Sequence, residues 1–458
     1  MCEKNNYGYV TMSIGDLRTL LSLSRIAITC RTGWRFYVYQ KTTLPNGLRI
    51  LTSHMPHTRS VAACVFVASG SRYENDGEEG ISHFLEHMLF KGTTKRPGSS
   101  DISTAVEQVG GQMNGSTDRE LCSYWVRVAK PHFQQTLDVL VDMVRNPLIV
   151  PDEVDKERRV VQEELSMSND YPDFRVERLI DEMLWPDQPM GRDIGGTRES
   201  VDGISRQMIV DWFQKQYGAA NTVISIAGNL THDEVLEEVV PLVKGWEGGE
   251  AGHLRPATHG VYEAAQVSME HLRTEQAHVA MAVPGMSSLH QDRYALDMMS
   301  TVLGEGMSSR LFLEVREKRG LVYDIHSMVS HFRDTGSFAV YFGVDPKKAK
   351  HTVETVLSEF ARTKEGVPEV ELSRARELAK GRLLLRMEDT RAVASWGGAQ
   401  EMLYDRVLTV DDVVERVDAV TTDDIKRMAN QFLLTEKVNL AVVGPFRSDR
   451  QFHVAVKG

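Results

Sequence analysis

From residue 36 onward, short apolar runs bounded by turn residues alternate with longer stretches in which apolar positions recur every three or four residues. The first run, the Pro45-Asn46-Gly47 turn and residues 48–53 read as a β-hairpin. Residues 60–69 are almost continuously apolar and read as a buried strand. At residues 80–92 the period changes: Phe84, Leu85, Met88 and Leu89 gather on one side of a helix, and Gly92 suits its C-terminal stop. Helices are also predicted over 100–109, ended by Gly110-Gly111, over 131–145 and over 200–217. An alternating strand is predicted over 121–128 and a buried one over 221–227.

The second half of the chain repeats the first. Val367-Pro368-Glu369, followed by Glu371-Leu372-Ser373-Arg374, echoes the run from Val150-Pro151-Asp152, and Asn439-Leu440-Ala441-Val442-Val443-Gly444 echoes Val223-Ile224-Ser225-Ile226-Ala227-Gly228. Each half mixes strands and helices, which predicts an α+β fold of two homologous halves, each a sheet covered by helices on one side. The glycine-rich residues 245–258 read as a linker between halves 36–244 and 259–458. Residues 1–35 stand apart. Within them, 12–35 carry Arg18, Arg25, Arg31 and Arg35 with Asp16 as the only acid, the composition of a transit peptide, although Glu3 and Asp16 are atypical of one.

With 458 residues, 41% hydrophobic and 26% charged, the chain can build a large core in two or more domains. A formal net charge of -11 argues against nucleic-acid binding and fits basic peptides better. No apolar run approaches the roughly 18 residues of a membrane span. Cys2, Cys30, Cys64 and Cys122 show no paired spacing, so reduced thiols and a reducing, cytoplasmic location are expected. The mitochondrial matrix is the alternative if residues 12–35 are a transit peptide.

The chemistry concentrates in His83-Phe84-Leu85-Glu86-His87. On a helix, His83 and His87 lie one turn apart and can reach one metal ion, while Glu86 stands close enough to touch a water beside it. The alternative is a pair of ordinary histidines on an amphipathic helix. A third ligand belongs on another element. The acidic helix begun by Pro151 offers Glu157 and Glu164, two turns apart on one face, though such a helix can also be a plain solvated surface.

Together, His83-Phe84-Leu85-Glu86-His87 and the later Glu157-to-Leu165 run resemble the insulysin/pitrilysin family of zinc peptidases (the inverzincins), over about residues 44–446. The likeness is to its half-length branch, which includes bacterial processing-type peptidases and the catalytic beta subunit of the mitochondrial processing peptidase. The resemblance implies one zinc per chain on His83, His87 and Glu164, Glu86 as catalytic base and Glu157 as a supporting acid. It further implies that Asn114 and Gly115 lie on a sheet edge that takes up substrate as an added strand, and that Arg316 and Tyr323 bind the substrate backbone. The two halves would face each other like a clamshell, and a dimer is expected because longer relatives carry four such repeats.

The activity so implied is cleavage of peptides or unfolded segments in a closed chamber. One alternative is the catalytic subunit of a mitochondrial heterodimer; another is a non-catalytic core subunit of a respiratory complex. Against the first, the acids that hold a substrate arginine ten and fourteen positions after the glutamate ligand are here Phe174 and Arg178. Against the second, all three ligands and the base are present. In the register of the repeat Glu164 falls opposite Arg382 and Glu157 opposite Ala375, so the fold is duplicated and the metal motif is not.

Overall fold

The computed structural model describes residues 26–27, 39–249, 254–260 and 264–457. Apart from Ile26–Ala27, the proposed targeting segment lies outside them. The first sheet has seven strands: β1 (Ile26–Ala27), β2 (Tyr39–Thr43), β3 (Arg49–His54), β4 (Ser60–Val67), β5 (Gln112–Thr117), β6 (Cys122–Ala129) and β7 (Thr222–Gly228). The second has five: β8 (Gln266–His271), β9 (Ala277–Pro284), β10 (Val322–His331), β11 (Gly336–Val344) and β12 (Asn439–Gly444). The order β3-β7-β4-β6-β5 in one sheet matches β8-β12-β9-β11-β10 in the other. In both, the last strand of the half lies between the earlier two, parallel to one and antiparallel to the other. The repeat read from the sequence is therefore a repeat of topology, and the predicted β2–β3 hairpin closes with Leu44 N–H donating to Leu48 O at 2.9 Å.

Residues 61–67 of β4 and all of β7 are buried, which leaves both faces of the first sheet in need of apolar cover. Helices of the same half, including Ile81–Leu89 and Phe133–Arg145, cover one face. The other face is covered from the opposite half. Helix Thr390–Tyr404 sets Val393 and Ala394 against Tyr39, Leu51, Ala62, Phe66 and Val223, and the Tyr39 hydroxyl donates to Val393 O at 2.9 Å. Reciprocally, helix Pro172–Leu184 lays Val176, Leu179, Ile180 and Leu184 on Ala280, Ala282, Ala339, Ala441 and Val443 of the second sheet. The one-sided covering expected from the sequence is thus corrected: each half lends the other a helix.

Further ties cross between the halves. Arg72, fully buried, pairs with Glu120 in its own half and reaches Asp334 Oδ1 in the other at 2.8 Å. Residues 244–249 are packed rather than free, since the buried Trp246 indole donates to Tyr217 O at 3.0 Å. The single helix expected over 200–217 is two, Arg198–Gly203 and Arg206–Gln216, because the Ser205 side chain accepts from Met208 N and starts a new helix. Cys64 and Cys122 are buried free thiols, and burial pushes each up to about 12, which leaves them inert. No described helix is long and apolar enough to cross a membrane.

The exchanged helix depends on close approach. A Cβ on Gly398 would lie 2.3 Å from Phe66 Cε2, and one on Gly397 2.4 Å from Tyr39 Cε1. At Gly381, in helix Glu369–Arg386, an added Cβ would meet nothing within 4 Å. Glycine-to-alanine should therefore act with opposite signs at the two places. Gly381→Ala should stabilise by about 0.5–1 kcal/mol through helix propensity, whereas Gly398→Ala should destabilise by about 1–3 kcal/mol through overpacking. Denaturant unfolding of the two variants checks this, and stabilisation of both would refute the close packing.

Candidate metal centre

The motif helix Ile81–Leu89 buries Ile81, Phe84, Leu85, Met88 and Leu89, the apolar side expected from its sequence, and so fixes the direction of the histidine face. Its N-terminus has no side-chain cap of its own. Glu74, fully buried, takes that role by accepting from Gly80 N and Ser82 N, each at 2.9 Å. The second ligand-bearing helix, Pro151–Asp170, starts at its proline as predicted and packs against the motif helix.

Three ligand atoms converge between these helices. His83 Nε2 and His87 Nε2 are 3.3 Å apart, and Glu164 Oε2 lies 3.7 and 3.4 Å from them. A tetrahedral zinc with bonds near 2.0–2.1 Å needs ligand atoms about 3.3–3.4 Å apart. The triangle fits that, and the donor set of two imidazoles and one carboxylate is a common one for zinc. Among the described residues these three form the one group of histidine, cysteine or acidic side chains close enough to hold an ion. Burial, and then the charge of His87, hold His83 down to about 4, so its ring is neutral and its lone pair available.

The supporting groups fall into place around the triangle. Glu157, 5% exposed, accepts from His87 Nδ1 at 3.0 Å, on the far side of the ring from the metal position. It touches a ligand ring rather than the metal position itself. Glu86 accepts from the Thr117 hydroxyl at 2.6 Å, and burial raises its carboxyl above the usual range. Strand β5, at the open edge of its sheet, carries Asn114, Gly115 and Thr117 past this site. An added Cβ on Gly115 would sit 3.1 Å from Glu86 Oε1 and 3.1 Å from Phe90 Cε2.

Arg316 and Tyr323 stand together in the second half. The Arg316 guanidinium lies 4.6 Å above the Phe312 ring and 4.9 Å above the Tyr323 ring, and Tyr323 is 78% exposed. Among the described residues no hydrogen bond or ion pair joins either to the metal triad. Arg382, opposite Glu164 in the repeat, pairs instead with Glu305 at 2.9 Å. Sequence reasoning missed Thr117, Glu74 and Lys91, whose Nζ lies 2.6 Å from Glu157 Oε1. Strand alternation alone puts Thr117 on the face of Gly115, so it was within reach; the other two depend on contacts that no spacing announces.

Comparison with known proteins agrees with this geometry. The description "Insulinase (Peptidase family M16)" matches residues 49–198, which carry the motif, and "Peptidase M16 inactive domain" matches 203–378, which span the end of the first half and much of the second. An uncharacterized zinc protease of Streptomyces coelicolor is 36% identical over 90% of this chain and 90% of its own. One of Bacillus subtilis is 33% identical over 89% of this chain and 98% of its own. The crystal structure of a protease from Helicobacter pylori superposes with a TM-score of 0.84 at 21% identity, covering 89% of this chain and 99% of the other. A chain of complex III from Candida albicans shares the fold with a TM-score of 0.78 at 19% identity, covering 91% and 99%. The chain belongs to the insulinase family of peptidases, in its half-length form of two α/β halves.

Two expected outcomes follow from the geometry. Burial pushes Glu74 up to about 7 despite its two N–H donors, and Glu79 nearby adds in the same direction. A carboxyl raised on folding contributes its full stability below its unfolded pKa and loses it as pH rises through the folded one. Wild type should therefore lose stability relative to Glu74→Gln between about pH 4.5 and pH 7, by an amount on the order of 2–3 kcal/mol. Melting curves across that range test it; a constant offset would show that Glu74 does not titrate there. Separately, Gly115→Ala should crowd Glu86 and lower kcat about tenfold while metal content stays unchanged.

Proposed function

We propose that this chain is a zinc-dependent endopeptidase acting on peptides or unfolded segments held between its two halves. The observation that carries the reading is the triangle of His83 Nε2, His87 Nε2 and Glu164 Oε2, sized for a tetrahedral ion, with Glu86 on the same helix. Zinc held there supplies Lewis-acid polarisation of a carbonyl and of the attacking water. Glu86 takes the proton from that water and returns it to the leaving amine, with Thr117 holding the carboxylate in place. The free edge of β5 offers N–H and C=O groups to an extended substrate whatever its side chains, which suits broad rather than residue-specific capture. Arg316 and Tyr323 supply hydrogen-bond donors from the other half to the substrate's carbonyls.

The two positions that would need acids to hold a substrate arginine are taken by Phe174 and by Arg178, the latter already engaged with Asn169 Oδ1 at 2.6 Å, which supports the general peptidase over arginine-directed presequence cleavage. Because one chain carries both the metal-bearing half and the half with Arg316 and Tyr323, we propose that it works unaided or as a homodimer.

The test is purification without any partner, with zinc content, mass in solution and cleavage of unstructured peptides measured together. Glu86→Gln should keep zinc and lose about 10²–10⁴ in turnover, whereas His83→Ala and Glu164→Ala should lose the metal itself. Metal-loaded wild type that cleaves nothing until a homologous chain is added would favour the heterodimer.

A further inference from the structure

We infer that Lys91 is a positioning residue of the metal site, acting through Glu157 to hold the His87 ring in the orientation that turns Nε2 toward His83 and Glu164. Its Nζ lies 2.6 Å from Glu157 Oε1, and the other oxygen of the same carboxylate accepts from His87 Nδ1 at 3.0 Å. A chain of three groups, ammonium to carboxylate to imidazole, thus ends on a ligand. This rests on the zinc reading above and extends it to a residue one turn beyond the second histidine.

The argument is one of charge and direction. The Glu157 side chain is only 7% exposed and that of Lys91 26%. A carboxylate this buried that lacks a partner for its second oxygen turns toward solvent to regain one, and Nδ1 of His87 then loses its acceptor. With the acceptor in place the ring is fixed by its Nδ1 contact, and Nε2 faces His83 and Glu164. The other ligand ring has no such support: among the described residues Nδ1 of His83 is buried without a hydrogen-bond partner. The Glu157 bond is therefore the contact that sets an imidazole here, and Lys91, held to the other oxygen of that carboxylate, is what keeps it turned inward. Lys91 also follows the C-terminus of the motif helix, where a cation is favoured by the unpaired carbonyls.

The experiment measures zinc affinity of the full-length metal-free protein by competition with a chromogenic chelator, alongside its melting temperature without metal. Lys91→Met should weaken zinc binding 10- to 100-fold, and Glu157→Gln should do the same. The double variant should bind no more weakly than Glu157→Gln alone, because Lys91 acts only through that carboxylate. A bridge that merely braces the fold would lower the melting temperature and leave zinc affinity within twofold of wild type, which overturns the inference. If Lys91→Met fails to fold, Lys91→Gln and Lys91→Arg are compared instead: zinc binding weakened about tenfold in the first and kept near wild type in the second supports the inference, and wild-type affinity in both overturns it. Wild type that binds no zinc overturns both this and the peptidase reading, whereas zinc-binding wild type with unaffected variants overturns this inference alone.

Discussion

Two imidazole nitrogens and a carboxylate oxygen aim at one point between two helices, and the structure around them exists to hold that convergence. Their lone pairs face one another at 3.3 to 3.7 Å, an arrangement that costs energy until a cation lies between them. It cannot be left to flexible side chains. The motif helix is pinned along its apolar side by Phe84, Leu85, Met88 and Leu89, and at its N-terminus by Glu74 accepting from Gly80 N and Ser82 N. The second helix is pinned by the pairing of Glu157 with His87 and Lys91, one turn of that helix seated against the first.

The same constraint explains why the duplicated fold is used asymmetrically. Both sheets have one strand order, yet only the first half carries the histidines, and in the second half Arg382 forms an ordinary ion pair with Glu305 where Glu164 would have its counterpart. What the second half contributes is a wall. It bears Arg316 and Tyr323, and it sends helix Thr390–Tyr404 across to cover the first sheet. The reciprocal helix, Pro172–Leu184, follows the ligand helix after Tyr171 alone, so the packing of the second sheet is joined through one residue to the helix that bears Glu164. The halves are therefore not independent modules on a string. Separating them would expose apolar surface on both sheets.

Edge strand β5 runs past the candidate metal centre. It is short, open on one side and free of large side chains where it passes Glu86, because Gly115 has no Cβ to crowd the base. Two residues on, Thr117 hydrogen-bonds that base. An edge of this kind is a hazard in most proteins, since it invites pairing with another chain. Here that open edge and the buried Glu86 carboxylate are adjacent, so a strand added to the edge would pass beside it.

Much of this was readable in the sequence. Spacing of three and four along one stretch put His83, Glu86 and His87 on a helix, a proline followed by acids started the helix of Glu157 and Glu164, and the echo of one half in the other foretold the repeated sheet. Those features are local, set by backbone period and by side chains near one another along the chain. The break at Ser205 is local too, but the side-chain cap that makes it competes closely with helix continuation, so period alone misses it. What the tertiary structure alone decided were pairings between residues far apart in sequence: Thr117 with Glu86, Glu157 with Lys91, and the helices exchanged between halves. Nothing in the spacing of residue 91 marks it, since its role arises only when helices distant along the chain pack together. The sequence by itself determined which groups could do the chemistry; the burial of both faces of two sheets determined where those groups stand.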